Sequence, residues 1–222
     1  MSFKKVITGL IFTTLSFVAI NANAALMNVG GVEVMVADVD KYGKGPSSEG
    51  TPPELLSFFS GANIMSDSNS DYEFTITFLY KQAGFENVFR APDGQTLDTD
   101  AAANTMISGT FSVGAGDYLT FSFGANCDAT FMGCTDVANG MNTDSESSSN
   151  ANFAVSEIMI SGDETSFYLF LNDTGAGPDV DFDDLIVFVQ LVDVTEPPAN
   201  VPEPSTILLL ALSALGFARF KK

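Results

Sequence analysis

Between Asp71 and Tyr80 the chain reads DYEFTITFLY, and the large apolar residues fall at every second position: Tyr72, Phe74, Ile76, Phe78 and Tyr80. Glu73, Thr75 and Thr77 occupy the alternate positions. An extended segment sends those two sets to opposite faces, whereas a helix would scatter the five apolar residues around its axis. The stretch is therefore a strand with one buried face, and it commits the chain to a sheet whose partners lie elsewhere in the sequence.

The same pattern recurs along the chain. Phe111 and Val113, then Leu119, Phe121 and Phe123, flank the turn residues GAGD and predict a hairpin. SEIMISGDETSFYLFL predicts two strands joined through Gly162 and Asp163, with Ile158 and Ile160 on one and Phe167, Leu169 and Leu171 on the other. Leu185–Val192 is apolar on both faces, as a central strand covered on both sides would be. VEVMVADV supplies an early strand, for a total of about eight. The single helical candidate is the short segment PELLSFF, Pro53 to Phe59. Many short strands and Gly-rich turns predict an all-β fold, an antiparallel β-sandwich or jelly-roll-like arrangement, with 20 phenylalanines to fill its core. Leu97–Asn104 and Thr143–Asn152 are low-complexity stretches with nothing evident to bury and read as loops.

Both ends differ from this body. Residues 1–24 read as a signal peptide for export by the Sec route: Lys4 and Lys5 precede an apolar stretch, and Ala22-Asn23-Ala24 is a small-x-small cleavage site. Residues 25–194 form the expected β-sandwich ectodomain. Residues 195–200 begin a Pro-rich linker, TEPPANVPEP, with four prolines in ten positions. Residues 201–222 follow it with VPEPST, an apolar run from Ile207 and the basic residues Arg219, Lys221 and Lys222. The apolar run is expected to form a short C-terminal transmembrane helix; Ile207 to Phe217 is eleven residues, short of the roughly 30 Å hydrocarbon core at 1.5 Å per residue, so it spans only with its basic residues snorkelling or the bilayer thinned. The basic tip would remain on the cytoplasmic side and the acidic body outside.

Charge narrows the range of partners. From Ala25 to Asn200 there are 27 acidic side chains and four basic ones, Lys41, Lys44, Lys81 and Arg90, a net charge of −23. Such a surface repels nucleic acid and anionic lipid and favours divalent cations. Catalytic options are few as well. The chain has no histidine, which removes Ser-His-Asp and Cys-His nucleophilic arrangements and His-ligated metals. No Gly-rich phosphate loop follows a strand. A carboxylate pair acting on glycosidic bonds is the least favoured reading, and the chain is expected to be non-catalytic.

Two sets of residues remain as site candidates. Cys127 and Cys134, separated by six residues, predict a disulfide in an oxidising compartment, with a pair of free thiols as the alternative. NDTGAGPDVDFDDLIVFV places Asp179, Asp181, Asp183 and Asp184 immediately before the apolar strand. Carboxylates so closely spaced repel unless water or a cation screens them, and carboxylate oxygens from a Gly-containing loop suit Ca²⁺. The spacing is not that of an EF-hand, since the sixth position is Asp184 and the twelfth Gln190. The alternative is a solvated acidic turn, or side chains capping backbone N–H groups at the strand start.

The last 22 residues resemble the PEP-CTERM sorting signal of exported proteins from Gram-negative bacteria. The resemblance rests on Val201, Pro202, Glu203, Pro204, Ser205 and Thr206, the apolar run and the basic cluster Arg219, Lys221 and Lys222. It implies an exosortase as partner, transient residence in the inner membrane, and delivery to the cell surface or to the exopolysaccharide matrix of a biofilm. The partners it implies there are acidic exopolysaccharide or another matrix component; the other reading of the body is a carbohydrate-binding or adhesion module with a defined sugar ligand. DVDFDDLIV resembles the Asp-rich turn leading into the last strand of PEP-CTERM surface sandwiches, and KQAGFENVF resembles a strand-and-turn segment of the same group.

Overall fold

The computed structural model describes residues 25–38, 49–144, 151–173 and 181–195. Fifteen strands occur among the described residues, and the sole helical element there is one 3-10 turn, Val36–Asp38. The fold is all-β, with every strand pairing antiparallel in a sandwich-like arrangement.

The larger sheet is built on three long central strands, β6 (Ser70–Lys81), β15 (Leu185–Asp193) and β14 (Glu164–Asn172). Beyond β14 lie β12 (Asn152–Val155), β4 (Ser57–Ser60) and β2 (Val32–Met35), with β13 (Met159–Ser161) also pairing β14. Beyond β6 lie β3 (Glu49–Gly50) and β9 (Met106–Val113). The second sheet has the order β11 (Thr135–Ala138), β10 (Ser122–Cys127), β7 (Glu86–Arg90) and β8 (Thr96–Asp98). A separate pair joins β1 (Leu26–Val29) to β5 (Asn63–Ser66).

The period-two pattern produces the main core as expected. Tyr72, Phe74, Ile76 and Phe78 of β6 are each at most 2% exposed, and they share one cluster with Phe167, Leu169, Val187, Val189 and Leu191. Rings from the second sheet close it from the other side: Phe123 lies 5.2 Å from Phe89 and 5.6 Å from Phe153. Buried aromatic pairs at such distances add to the burial of their area, and truncating one to alanine costs about 3–5 kcal/mol.

Tyr80 departs from the expected face. The pairing of β6 with β15 shifts between Ile186 and Val187, so that Ile186 opposes Tyr80 and Val187 opposes Phe78. The extra residue sends Tyr80 to the opposite side of the sheet, where it joins Phe58, Ala154, Phe170, Phe182 and Ile186 in a second, smaller core.

Three further expectations are corrected. The residues flanking GAGD do not form a hairpin, because β9 pairs β6 in the larger sheet whereas β10 pairs β7 and β11 in the smaller one. PELLSFF is not helical: its end forms β4, whose Phe58 is fully buried against Phe170 and Phe182. VEVMVADV is a strand only through Met35, then the 3-10 turn. Gly162 and Asp163 do connect β13 to β14, with φ of +65° at Gly162 supplying the left-handed residue of the turn. β15 is central, and its first half is buried on both faces, while Phe188, Gln190 and Val192 are partly exposed.

Asparagines complete the packing where strands leave the sheets. The Asn142 side chain bonds the carbonyls of Ala62 and Phe153 through Nδ2 and accepts from the Phe153 N–H. The Asn139 side chain accepts from the Ile64 N–H and donates to the Ile64 and Leu119 carbonyls. Each replaces a missing ladder partner for buried backbone groups.

Candidate cation site

β14 ends at Asn172 and β15 begins at Leu185, and acidic residues lie at both ends of the connection. Asp173 follows β14 and is 4% exposed. Asp181, Asp183 and Asp184 precede β15 and are 2%, 0% and 7% exposed. Phe182, between the first two, has φ of +54°, an unfavourable conformation for a bulky residue, costing of order 1–3 kcal/mol. Its ring is anchored 5.1 Å from Phe58 in the smaller core. A straight strand would send Asp183 and Asp184 to opposite faces, yet here Asp181, Asp183 and Asp184 each offer a carboxylate oxygen within 4.8 Å of the other two.

The cluster is held from several elements. The Asp173 N–H donates to Oδ2 of Asp184 at 2.8 Å, and the Asp184 N–H donates to the Leu171 carbonyl at 3.3 Å. Asn87 of β7 donates through Nδ2 to Oδ2 of Asp173 at 3.0 Å. Asn126 of β10 donates from its own N–H to Oδ1 of Asn87 and through Nδ2 to the Asp173 carbonyl. The Gln82 N–H donates to the Asp183 carbonyl at 2.9 Å. Both sheets therefore meet at this end of the sandwich. Burial pushes the Asp184 carboxyl well above the usual carboxylate range; the charge of Asp173 pushes the same way, the Asp173 N–H opposes it, and Asp181 and Asp183 add smaller upward effects.

The donor set fits a hard divalent cation. Ca²⁺ takes six to eight oxygens at 2.3–2.6 Å, so ligand atoms on its sphere lie no more than about 5 Å apart. Three carboxylate oxygens within 4.8 Å of one another satisfy that limit. Asp181, Asp183 and Asp184 would hold the ion, with Asp173 beside them.

Of the residues expected from the sequence, Asp181, Asp183 and Asp184 come together, and Asp184 accepts from a backbone N–H past the end of β14, that of Asp173, where the alternative reading expected a cap at the strand start. Asp179 lies outside the described residues. Asp173, Asn87 and Asn126 were not singled out; the sequence run NDTG at 172–175 is the local signal for the first, while the two asparagines arrive by long-range strand pairing. Cys127 and Cys134 are joined as a disulfide. It closes a loop in which Asp128 Oδ1 accepts from Thr130 Oγ1 and from the N–H groups of Thr130 and Met132, holding that carboxyl below its usual range. No helix among the described residues is long and apolar enough to cross a membrane. The signal-peptide residues Ala22 and Ala24, the stretch Val201–Thr206 and the basic residues Arg219, Lys221 and Lys222 lie outside the described residues.

Comparison with known families adds the decisive observation for the tail: residues 200–222 match the PEP-CTERM protein-sorting motif. The chain carries a PEP-CTERM sorting signal. That signal supports an exported protein of a Gram-negative bacterium, handled by an exosortase as it transits the membrane. Among solved structures, the chain is similar to the Chromobacterium violaceum lectin CV2L, determined in complex with alpha-methyl-fucoside, with a TM-score of 0.31 and 11% identity over 55% of this chain and 88% of the lectin. No curated protein sequence matches.

Proposed function

We propose that this is a non-catalytic surface or biofilm-matrix protein, released from its inner-membrane tail by an exosortase and associated outside the cell with exopolysaccharide. A calcium ion bound by Asp181, Asp183 and Asp184 locks the two sheets together there. The observation that carries this reading is the buried carboxylate cluster in a chain with a sorting signal: several acidic groups taken out of water repel one another unless a cation or protons neutralise them. Further calcium at the acidic surface, distinct from the buried ion, offers a route to acidic exopolysaccharide, which an exported part of net charge −23 would otherwise repel.

A carbohydrate-binding or adhesion module with a defined sugar is the second reading, favoured by the groove described below. A glycosidase is the least supported.

Cell fractionation with mass spectrometry of the mature C-terminus tests the proposal. The protein is expected in the surface or matrix fraction, lacking the peptide that ends in Lys222, and released when a chelator strips calcium. An intact C-terminal peptide from that fraction contradicts processing, and unchanged retention in chelator contradicts the calcium-dependent association.

A further inference from the structure

The outer face of the larger sheet is covered by the smaller core near the start of β15 and is open near its end. Strand register arranges the open part in rows. Ser166, Gln190, Thr75 and Ser108 form one row across β14, β15, β6 and β9, and Glu164, Val192, Glu73 and Thr110 form the next. These two rows, apart from Ser166, line a groove of about 360 Å³. Gln190 is fixed within it, donating through Nε2 to Oε1 of Glu164 at 2.9 Å. Glu73 and Glu164 stand on either side of β15, two strand spacings or about 10 Å apart.

One row towards the covered end, Tyr168 opposes Phe188, with ring centroids 4.7 Å apart and both rings partly exposed. Two residues along a strand is about 7 Å, so this aromatic pair borders the polar groove directly. The face thus offers hydroxyls, an amide and two carboxylates at strand spacing next to an apolar aromatic surface. A pyranose presents that combination in reverse: hydroxyl groups around its rim and a C–H face for a ring to cover.

We propose that this groove binds a non-anionic saccharide, with amino sugars preferred, through Glu73, Glu164, Gln190 and the hydroxyls of Thr75, Ser108 and Thr110, with Tyr168 and Phe188 beneath its apolar face. Charge selects the class. Two carboxylates repel a uronate or sulfated sugar, accept from sugar hydroxyls, and form charge-assisted hydrogen bonds with an ammonium. The inference rests on the matrix-association reading and gives it a second, cation-independent contact. Asp184 immediately precedes β15 and Val192 lies near its far end, eight residues on and about 25 Å away, so the groove and the carboxylate cluster are separable by mutation.

Calorimetric titration of the full chain with a glucosamine tetrasaccharide, a neutral glucose tetrasaccharide, a galacturonate tetrasaccharide and tetralysine tests it, each in chelator and in calcium. The expected order is glucosamine above glucose, with galacturonate not binding in chelator. The exposed substitution Val192→Lys, and separately Glu73→Gln with Glu164→Gln, should weaken glucosamine binding at least tenfold with no change in melting temperature. Absence of glucosamine and glucose binding at millimolar concentration overturns the groove. So does binding of tetralysine as tight as that of the amino sugar, or an affinity the groove variants leave unchanged. Calcium-dependent galacturonate binding that is insensitive to Val192→Lys is scored separately: it supports cation-bridged matrix association whether or not the groove binds glucosamine.

Discussion

The N–H of Asp173 donates to Oδ2 of Asp184 at 2.8 Å, tying the end of β14 to the start of β15 through a buried carboxylate. Asp181 and Asp183 crowd the same acceptor, and the Asp173 carboxyl lies close enough to raise it further. An arrangement that helps close the sheet thereby concentrates negative charge where water is excluded. Its stability must depend on what neutralises that charge.

Protons are one answer. The Asp184 carboxyl titrates well above the usual range in the folded protein and at its ordinary value when unfolded. The folded state therefore holds more protons between those two values, and the stability Asp184 contributes is complete below the ordinary value and lost as pH rises through the folded one. In chelator, the melting temperature should fall as pH rises from acid towards neutral; in calcium the fall should flatten. Calorimetry over a pH series checks both, and a fall of equal size in both buffers contradicts the account.

Removing one charge should act in opposite directions in the two buffers. Asp183→Asn relieves like-charge repulsion at a site with no solvent exposure, so it should stabilise the protein in chelator by about 1–2 kcal/mol and abolish the gain from calcium. Urea denaturation with and without calcium measures both.

Asn142 is 4% exposed and bonds the carbonyls of Ala62 and Phe153 and the Phe153 N–H. Asn142→Ala leaves those groups without that partner in the interior, a loss of about 2–4 kcal/mol in urea denaturation. A cost under 0.5 kcal/mol would show that the network does not hold the β5–β12 junction.

The Cys127–Cys134 bridge spans few residues, so it restricts the unfolded chain only slightly. Replacing both cysteines with serine should cost about 2 kcal/mol or less while the fold persists, because Asp128 still caps the loop. Near-ultraviolet circular dichroism and urea denaturation give the two readouts.

Local alternation was enough to read the strands that bury one face, from Tyr72 to Phe78 and from Phe167 to Leu171. It failed where the answer was non-local. Tyr80 changes sides because of a register shift against β15, more than a hundred residues away in sequence, and Phe111 and Phe123 enter different sheets although the turn between them suits a hairpin. PELLSFF carries apolar residues at spacings that suit either helix or strand, and the buried contacts of Phe58 select the strand. At the candidate site the aspartates before β15 were legible as a run of acids. Their burial was not, since it depends on Phe182 anchoring in the smaller core and on Asn87 and Asn126 arriving from the second sheet.

Cation binding by the buried aspartates is read out by calorimetric titration of the full chain with calcium after exhaustive chelation. Saturable binding near one ion per chain is expected, with a rise in melting temperature that Asp183→Asn removes. No heat at millimolar calcium, together with an unchanged melting temperature, would contradict it.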